Sequence, residues 1–173
     1  MGDGAAEFPF WRGALPPAPD MFRDLRDEHL VSHHDPASIM LQRRYPEDHR
    51  RVDGLSNHFT EYARIDASFD GRPTPRDVHL RMVREYDAHD LAAYRAFTVE
   101  ARRESVYAGG REANLFNPAF ARMVYETLGG LRPRILDLSA GWGDRAAAAA
   151  AADAERYHGC DPNPLLRGGY QLL

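Results

Sequence analysis

The stretch Arg134-Ile135-Leu136-Asp137-Leu138-Ser139-Ala140-Gly141-Trp142-Gly143-Asp144 decides the fold of this chain. It predicts a short apolar strand that ends in an acid, followed at once by a glycine-containing turn and a helix. Gly141 and Gly143 have no Cβ, so the backbone is able to turn sharply and to approach a bound ligand closely. The helix after Gly143 directs its free N–H groups toward the same place. This order of elements is typical of a nucleotide-cofactor pocket.

A second short strand with a terminal acid follows that helix. Seven consecutive alanines, 146–152, form most of the helix, and alanine is the strongest helix former. Tyr157-His158-Gly159-Cys160-Asp161 then predicts the second strand. In a βαβ cofactor site, the acid at the end of the second strand binds the ribose hydroxyls. Asp161 is therefore the predicted ribose-binding carboxylate.

Length and composition set the broad class of protein. The 173 residues allow one domain, or one domain and part of another. The net charge of −4 gives no global attraction to nucleic acid, and no apolar run approaches the roughly 20 residues that span a bilayer. Cys160 is the only cysteine, which excludes an intramolecular disulfide and favours a reducing compartment. With no secretory signal in its first residues, the chain is expected to be intracellular, either cytoplasmic or nuclear.

Turn and capping residues divide the chain into three predicted regions. Residues 1–19 are expected to form a flexible arm, residues 20–110 a helical region, and residues 111–173 a cofactor-binding domain that begins after Gly109-Gly110. The predicted helices run from Asp20 to about Leu30, from Pro36 to near Tyr45, from Pro75 after the cap Thr74, from about Asp90 to Tyr107, from Pro118 after the cap Asn117 to Gly129, and within 165–173. The stretch 55–69 is ambiguous.

The glycine-rich stretch resembles a known cofactor motif. Asp137-Leu138-Ser139-Ala140-Gly141-Trp142-Gly143 is similar to the first motif of class I S-adenosylmethionine-dependent methyltransferases, acid-x-Gly-x-Gly-x-Gly. Ser139 stands where the first glycine usually lies, a departure that resembles the amino-methyltransferase form Asp-Pro-Phe-x-Gly-Ser-Gly. The preceding segment, Asn114 to Phe120, resembles the Phe- and Pro-containing segment that touches the methionine end of the cofactor in those enzymes. The resemblance covers about residues 112–170.

A weaker likeness involves other segments. The run Gly-Trp-Gly-Asp-Arg with a later Gly-x-Asp-Pro-Asn also resembles a little-characterised set of methyltransferase-like proteins. The stretch Leu55 to Glu61 is similar to a segment of the same set.

The resemblance implies a fold, a cofactor and a set of binding residues. The fold is α/β, with a mostly helical N-terminal region followed by the first part of a Rossmann-like methyltransferase domain that has an incomplete parallel sheet. The cofactor is S-adenosylmethionine, whose ammonium would bind Asp137 and whose ribose would bind Asp161, with Trp142 or Pro162 against the adenine. The full predicted cofactor-binding set is Asp137, Ser139, Ala140, Gly141, Trp142, Gly143, Asp161, Pro162, Phe116 and Asn117.

Two other interpretations of this site stay open. Gly141-x-Gly143-x-x-Ala146 also satisfies the dinucleotide pattern, with Asp161 close to the expected distance, which would make the chain an NAD-binding protein. Against this, a carboxylate at Asp137 would repel a pyrophosphate and suits an ammonium. The second alternative is that the stretch forms a structural turn and binds no ligand.

The sequence carries only part of the family pattern. A class I methyltransferase sheet has seven strands, and two are predicted here. The later Asp/Asn/Ser-Pro-Pro-Tyr/Phe motif, which holds the acceptor amine in amino-methyltransferases, does not occur. We therefore expect an open sheet edge and an exposed apolar face, and a chain that needs a missing C-terminal part or a partner chain. The catalytic residues stay unknown, and the methyl acceptor is open between a nucleobase amine, a small molecule and a protein. A truncated, non-catalytic binding module is the alternative.

Several other candidate residues are expected to be structural. His33-His34-Asp35 has no evident third ligand, so no metal site is predicted. His58 and Glu61 lie at helical spacing and are interpreted as surface or packing residues rather than an acid/base pair. Arg145 is expected to contact the cofactor carboxylate or to pair with Asp144. Cys160 is expected to be a small core residue.

Overall fold

The structure is a computed structural model that describes residues 8–10, 15–27, 54–68, 70–110 and 113–173. Over these residues the protein is mostly helical and contains a small parallel sheet of two strands. The chain forms two compact units. Unit 1 consists of Met1–Leu15 and Glu61–Asn114, and unit 2 of Pro16–Thr60 and Leu115–Leu173.

The helices and strands follow one another in a simple order. The described elements are α1 (Ala18–Asp27), α2 (Asn57–Arg64), α3 (Pro75–Glu85), α4 (Ala88–Ala96), α5 (Val99–Ala108), α6 (Pro118–Gly129), β1 (Arg134–Asp137), α7 (Asp144–Ala151), β2 (Arg156–Gly159), a 3₁₀ turn (Pro164–Leu166) and α8 (Arg167–Leu172).

Unit 1 has a small apolar core. Its centre is formed by Phe8, Ile65, Val78 and Val106, all of them buried. Phe8 lies in the predicted arm, 1–19, and its ring also meets His79 edge-on. At Phe8 this segment is packed rather than loose, because burying an aromatic ring outweighs the entropy cost of ordering a few residues.

The start of α3 is set by a capping box, whose N-cap is Thr74, the cap that the sequence predicted. The Thr74 side chain accepts a hydrogen bond from the Asp77 amide, and the Asp77 carboxylate accepts one from the Thr74 amide. Pro75 occupies the first helical turn, where its missing N–H costs nothing. The two reciprocal bonds satisfy amides that the helix itself leaves without partners.

The prediction of one helix from Asp90 to Tyr107 is wrong. The chain forms α4 and α5 instead, and Phe97 between them is extended. The Thr98 side chain accepts a hydrogen bond from the Ala101 amide at 3.2 Å and so caps a new helix. Threonine competes with the helical backbone in this way, and the apolar periodicity of the segment hid the break.

Unit 2 is built around a βαβ element. β1 and β2 pair in parallel with Ile135 opposite Tyr157 and Asp137 opposite Gly159, and α7 connects them. α6 packs against α7, which also contacts α1. The alanines 147–149 of α7 are buried, so this helix contributes small side chains to the core of the unit.

One face of the sheet is open to solvent. The side chains of β1 alternate, so that Ile135 is half-buried while Leu136 is 69% exposed. Leu138, just after the strand, is 75% exposed. The expected exposed apolar face is therefore present. The described residues fit an α/β class only in the coarse sense of helices with a small parallel sheet.

Some predictions about single elements are corrected by the structure, and others concern residues outside the described ranges. Cys160 is exposed rather than part of the core, because it follows the last residue of β2. The predicted boundary near residue 110 is close to the division at Asn114, but Pro16–Thr60 belongs to the same unit as the C-terminal segment. The predicted helix from Pro36 and the His33-His34-Asp35 group lie outside the described residues. Among the described helices, none combines the length and apolarity that crossing a bilayer requires.

We expect Thr74→Ala to destabilise unit 1 by about 1 kcal/mol, the usual cost of losing a helix N-cap. Amide hydrogen exchange in the first turn of α3 measures the effect. Thr74→Ser, which keeps the hydroxyl, is the matched control and should stay close to the wild-type exchange rates. Equal rates in all three proteins would contradict the role of the capping box.

Candidate functional site

The acid at the end of β1 is surrounded by hydrogen-bond donors. The Asp137 carboxylate accepts bonds from Arg145 Nε at 2.7 Å, Arg145 Nη2 at 3.3 Å, the Tyr157 hydroxyl at 2.8 Å and the Ser139 amide at 3.1 Å. Four bonds use the acceptor capacity of a carboxylate. A ligand ammonium would therefore have to displace one of these donors in order to bind Asp137 directly.

Arg145 is the main partner of that acid. Its side chain also donates to the Ser139 carbonyl and lies over the Phe116 ring, 5.1 Å from the ring centre. The sequence predicted that Arg145 contacts either the cofactor carboxylate or Asp144. In the structure, Arg145 pairs with Asp137 instead. Asp144 is the neighbouring residue at the start of α7 and is buried.

Burial and hydrogen bonding shift the pKa values of Asp137 and Tyr157. Partial burial raises the pKa of Asp137, but hydrogen bonds from Arg145, Tyr157 and the Ser139 amide outweigh it and leave the pKa below the ordinary aspartate value. Burial, and then the hydrogen bond to Asp137, raises the pKa of the Tyr157 phenol. Asp137 is therefore ionised and Tyr157 protonated at neutral pH.

The segment after β1, Ser139 to Gly143, is called the glycine loop below. Gly141 has a φ of +65° and Gly143 a φ of +107°, in the region that favours glycine. A Cβ on Gly141 would meet no heavy atom closer than 3.8 Å, so its backbone conformation, rather than crowding by the protein, requires glycine there. At Gly143 a Cβ would lie 3.1 Å from Leu173 Cδ1, so conformation and space both matter.

The second predicted acid holds the same loop from the other strand. Asp161 accepts a hydrogen bond from the Gly141 amide on Oδ2 at 2.8 Å and one from the Asn163 amide on Oδ1 at 2.9 Å. The Ala140 amide donates to the Cys160 carbonyl at 2.8 Å. Asp137 and Asp161 thus bind amides two residues apart, and the tips of both strands meet at the glycine loop.

A tyrosine from the C-terminal helix reaches the loop as well. The Tyr170 hydroxyl donates to the Gly141 carbonyl. Burial, followed by the nearby carboxylates Asp161 and Asp137, raises the pKa of Tyr170 to about 12. The hydroxyl therefore stays a donor at every physiological pH.

The remaining predicted binding residues have mixed surroundings. Phe116 is partly exposed and packs on Phe120, with ring centres 6.0 Å apart. The Asn117 side chain accepts from the Phe120 amide at 2.8 Å and caps α6, which confirms its predicted structural role. Ser139 and Pro162 are exposed, whereas Ala140 is buried. These are contacts within the protein, so the cofactor-binding roles of these residues stay predictions.

Three residues that contact the site were not predicted from the sequence. Tyr157 had a usable signal, since alternation in a parallel pair places it on the same face as Ile135 and Asp137. Tyr170 had no local signal. Thr60, which donates to the Trp142 carbonyl at 2.7 Å, lies in the segment 55–61 noted for its likeness, but no spacing rule pointed to its partner.

The weaker candidates are structural where they are described. His58 Nε2 is hydrogen-bonded to the Pro16 carbonyl at 2.9 Å. Glu61 is paired with Arg103, and both side chains are buried. Within the described ranges, no group of three or more His, Cys, Asp or Glu residues is arranged to hold a metal ion.

The ionised state of Asp137 gives a prediction about pH. We expect Asp137→Asn to destabilise unit 2 by about 1–3 kcal/mol at pH 7, because a nearly buried charged hydrogen-bond acceptor is lost. A depressed pKa in the folded state contributes stability above the unfolded aspartate value of about 3.9 and loses it as the pH falls through the folded pKa. The difference between wild type and variant should therefore shrink below about pH 4.

Urea unfolding at several pH values measures that difference. Asp153→Asn is the matched control, since Asp153 is exposed and its nearest cation is Arg132 at 3.8 Å. It should change stability little at any pH. A difference for Asp137→Asn that stays constant from pH 7 to pH 3 would contradict the ion-pair interpretation.

The two glycines of the loop should differ in their tolerance of a side chain. We expect Gly141→Ala to cost about 1–2 kcal/mol, the usual penalty for a Cβ in the left-handed region. Gly143→Ala should cost more, because its φ of +107° lies far from the left-handed minimum at about +57° and its Cβ would lie 3.1 Å from Leu173 Cδ1. Hydrogen exchange of the α7 amides measures the loss of stability in each of the two variants. A larger cost at Gly141 than at Gly143 would show that this account of the loop is wrong.

A comparison of the chain with protein-family models, curated proteins and solved structures finds no significant match. The likeness to class I methyltransferases therefore stays a prediction from the residues of the glycine loop and the segments around it.

Proposed function

We propose that unit 2 binds S-adenosylmethionine in the manner of a Rossmann-like class I methyltransferase domain. The observation that carries this proposal is the use of the loop amides. The amides of Ser139, Ala140 and Gly141 donate to Asp137, to the Cys160 carbonyl and to Asp161. Three successive N–H groups are thus already bound within the protein.

This pattern favours a cofactor without phosphate. Dinucleotide and phosphate sites use the N–H groups of a glycine-rich loop to cradle phosphate oxygens. Here three of these N–H groups, those of Ser139, Ala140 and Gly141, bind two carboxylates and a carbonyl of the protein itself, so they are not available to a phosphate. S-Adenosylmethionine contains a sulfonium, an amine, a carboxylate and a ribose but no phosphate, and it suits a site with acids at its rim.

Arg145 reduces the repulsion that Asp137 would exert on a pyrophosphate. It balances the charge of Asp137, so Asp137 alone would not exclude a pyrophosphate, in contrast to the expectation from the sequence. The sequence pattern of the loop fits both S-adenosylmethionine and NAD. The proposed preference for S-adenosylmethionine therefore depends on the hydrogen bonds of the loop amides.

The residues of the loop take distinct proposed roles. Each Asp161 oxygen accepts one amide bond, which leaves acceptor capacity for the ribose hydroxyls. The Asp137–Arg145 pair lies at the β1 end of the loop, where we place the amino-acid part of the cofactor. The partly exposed Phe116 ring, stacked on Arg145, would border that part.

Bound S-adenosylmethionine would supply an electrophilic methyl group to a nucleophilic acceptor by in-line displacement. The protein would act by holding the donor in one orientation. The acceptor stays open among a nucleobase amine, a small molecule and a protein. A non-catalytic binding module is the second candidate, favoured by a sequence with no Pro-Pro-aromatic acceptor motif.

Calorimetric titration with S-adenosylmethionine and with NAD tests the proposal. We expect the first to bind and the second to give no heat of binding. Asp161→Ala should weaken S-adenosylmethionine binding by roughly 1–3 kcal/mol through the loss of charged hydrogen bonds. Glu155→Gln, an exposed acid just before β2, is the control and should bind like wild type.

Binding of NAD but not of S-adenosylmethionine would overturn the cofactor assignment, and unchanged affinity in Asp161→Ala would overturn the ribose role. A methyl-transfer assay on the chain that binds the cofactor then separates an enzyme from a binding module.

A further inference from the structure

A helix remote in sequence reaches the centre of the glycine loop. The hydroxyl of Thr60, in α2, lies 2.7 Å from the carbonyl oxygen of Trp142. The same hydroxyl lies 3.1 Å from the carbonyl oxygen of Ser56, the residue just before α2. A hydroxyl has one proton to donate, and the shorter distance assigns it mainly to Trp142.

The surroundings of Thr60 are polar and yet buried. Thr60, Ser56 and Asn57 are each at most 2% exposed. Such residues usually lie at the surface, and their burial costs free energy unless their polar groups are bonded. The hydrogen bond to Trp142 gives the buried Thr60 hydroxyl a partner and also satisfies a loop carbonyl.

The position of Thr60 is fixed by close backbone packing. A Cβ on Gly169 of α8 would lie 2.6 Å from the Phe59 carbonyl oxygen and 2.7 Å from Thr60 Cγ2. Only a residue without a side chain fits between these helices. The residue after Gly169 is Tyr170, whose hydroxyl donates to Gly141. Two consecutive loop carbonyls, Gly141 and Trp142, are thus held by two helices that pack on each other.

We propose that Thr60 is a positioning residue that fixes the Trp142 peptide of the glycine loop. The peptide group that carries this carbonyl joins Trp142 to Gly143, and Trp142 is itself flanked by Gly141 and Gly143, both at positive φ, where the backbone is intrinsically permissive. The hydrogen bond from Thr60 selects one orientation. Its consequence for S-adenosylmethionine affinity rests on the proposed function, whereas its effect on the loop does not.

The first experiment measures the loop without any ligand. Thr60→Val keeps the shape of the side chain and removes the donor, while Thr60→Ser keeps the donor. We expect hydrogen exchange at the Gly141 amide, which donates to Asp161, to accelerate about tenfold in the valine variant, the factor that corresponds to one lost buried hydrogen bond. The β1 amides should change less than about twofold. Thr127→Val is the control, with the same replacement at an exposed position of α6.

The second experiment measures affinity. Calorimetry with S-adenosylmethionine should show about tenfold weaker binding for Thr60→Val, and binding within about threefold of wild type for Thr60→Ser. If wild type does not bind while Thr60→Val still accelerates exchange at Gly141, the proposed function fails and the positioning role stands.

Two results would overturn the inference. One is unchanged exchange at Gly141 in Thr60→Val. The other is equal acceleration of Gly141 and β1, which would make Thr60 a residue of general stability. If the valine variant does not fold, wild-type NMR decides. A Thr60 hydroxyl proton with a cross-peak to the Gly141–Gly143 segment supports the inference, and a hydroxyl in rapid exchange with water contradicts it.

Discussion

The geometry of unit 2 depends on the carboxylate of Asp137. Its side chain is only 10% exposed and would carry a large desolvation cost without partners. Arg145 supplies the opposite charge, Tyr157 a hydroxyl and Ser139 an amide. The three donors come from α7, β2 and the glycine loop. Satisfying one buried charge therefore fixes how these elements meet, and a change to any donor leaves a partly uncompensated ion.

The second acid acts on the other side of the same loop. Asp161 binds Gly141, and Thr60 and Tyr170 hold the carbonyls of Trp142 and Gly141. The amides of Ser139, Ala140 and Gly141 and the carbonyls of Gly141 and Trp142 are bound within the protein. This supports the proposal of a cofactor without phosphate.

Sequence reasoning was strongest where local chemistry decides structure. The caps Thr74 and Asn117 and both strands were predictable because each depends on neighbours within a few residues. It failed at Thr98, where a side chain replaced the expected helical bond. The hydrogen bonds of Thr60 and Tyr170 to the glycine loop were not predicted either. Their partners are 82 and 29 residues away in sequence, and no periodicity encodes such a distance. The pairing of Arg145 with Asp137 was likewise not predictable, since Asp144 lies nearer in sequence.

The hydrogen bonds around the glycine loop are expected to respond differently to a rise and to a fall in pH. Tyr157 and Tyr170 keep their protons far into the alkaline range, because burial and the neighbouring carboxylates oppose phenolate formation. Alkali therefore removes none of their hydroxyl donors until conditions that damage most proteins. Acid acts on a different group, since protonating Asp137 cancels the charge that three parts of the unit converge on. The bonds donated by the two phenols are therefore expected to outlast a rise in pH, whereas those accepted by Asp137 weaken in strong acid.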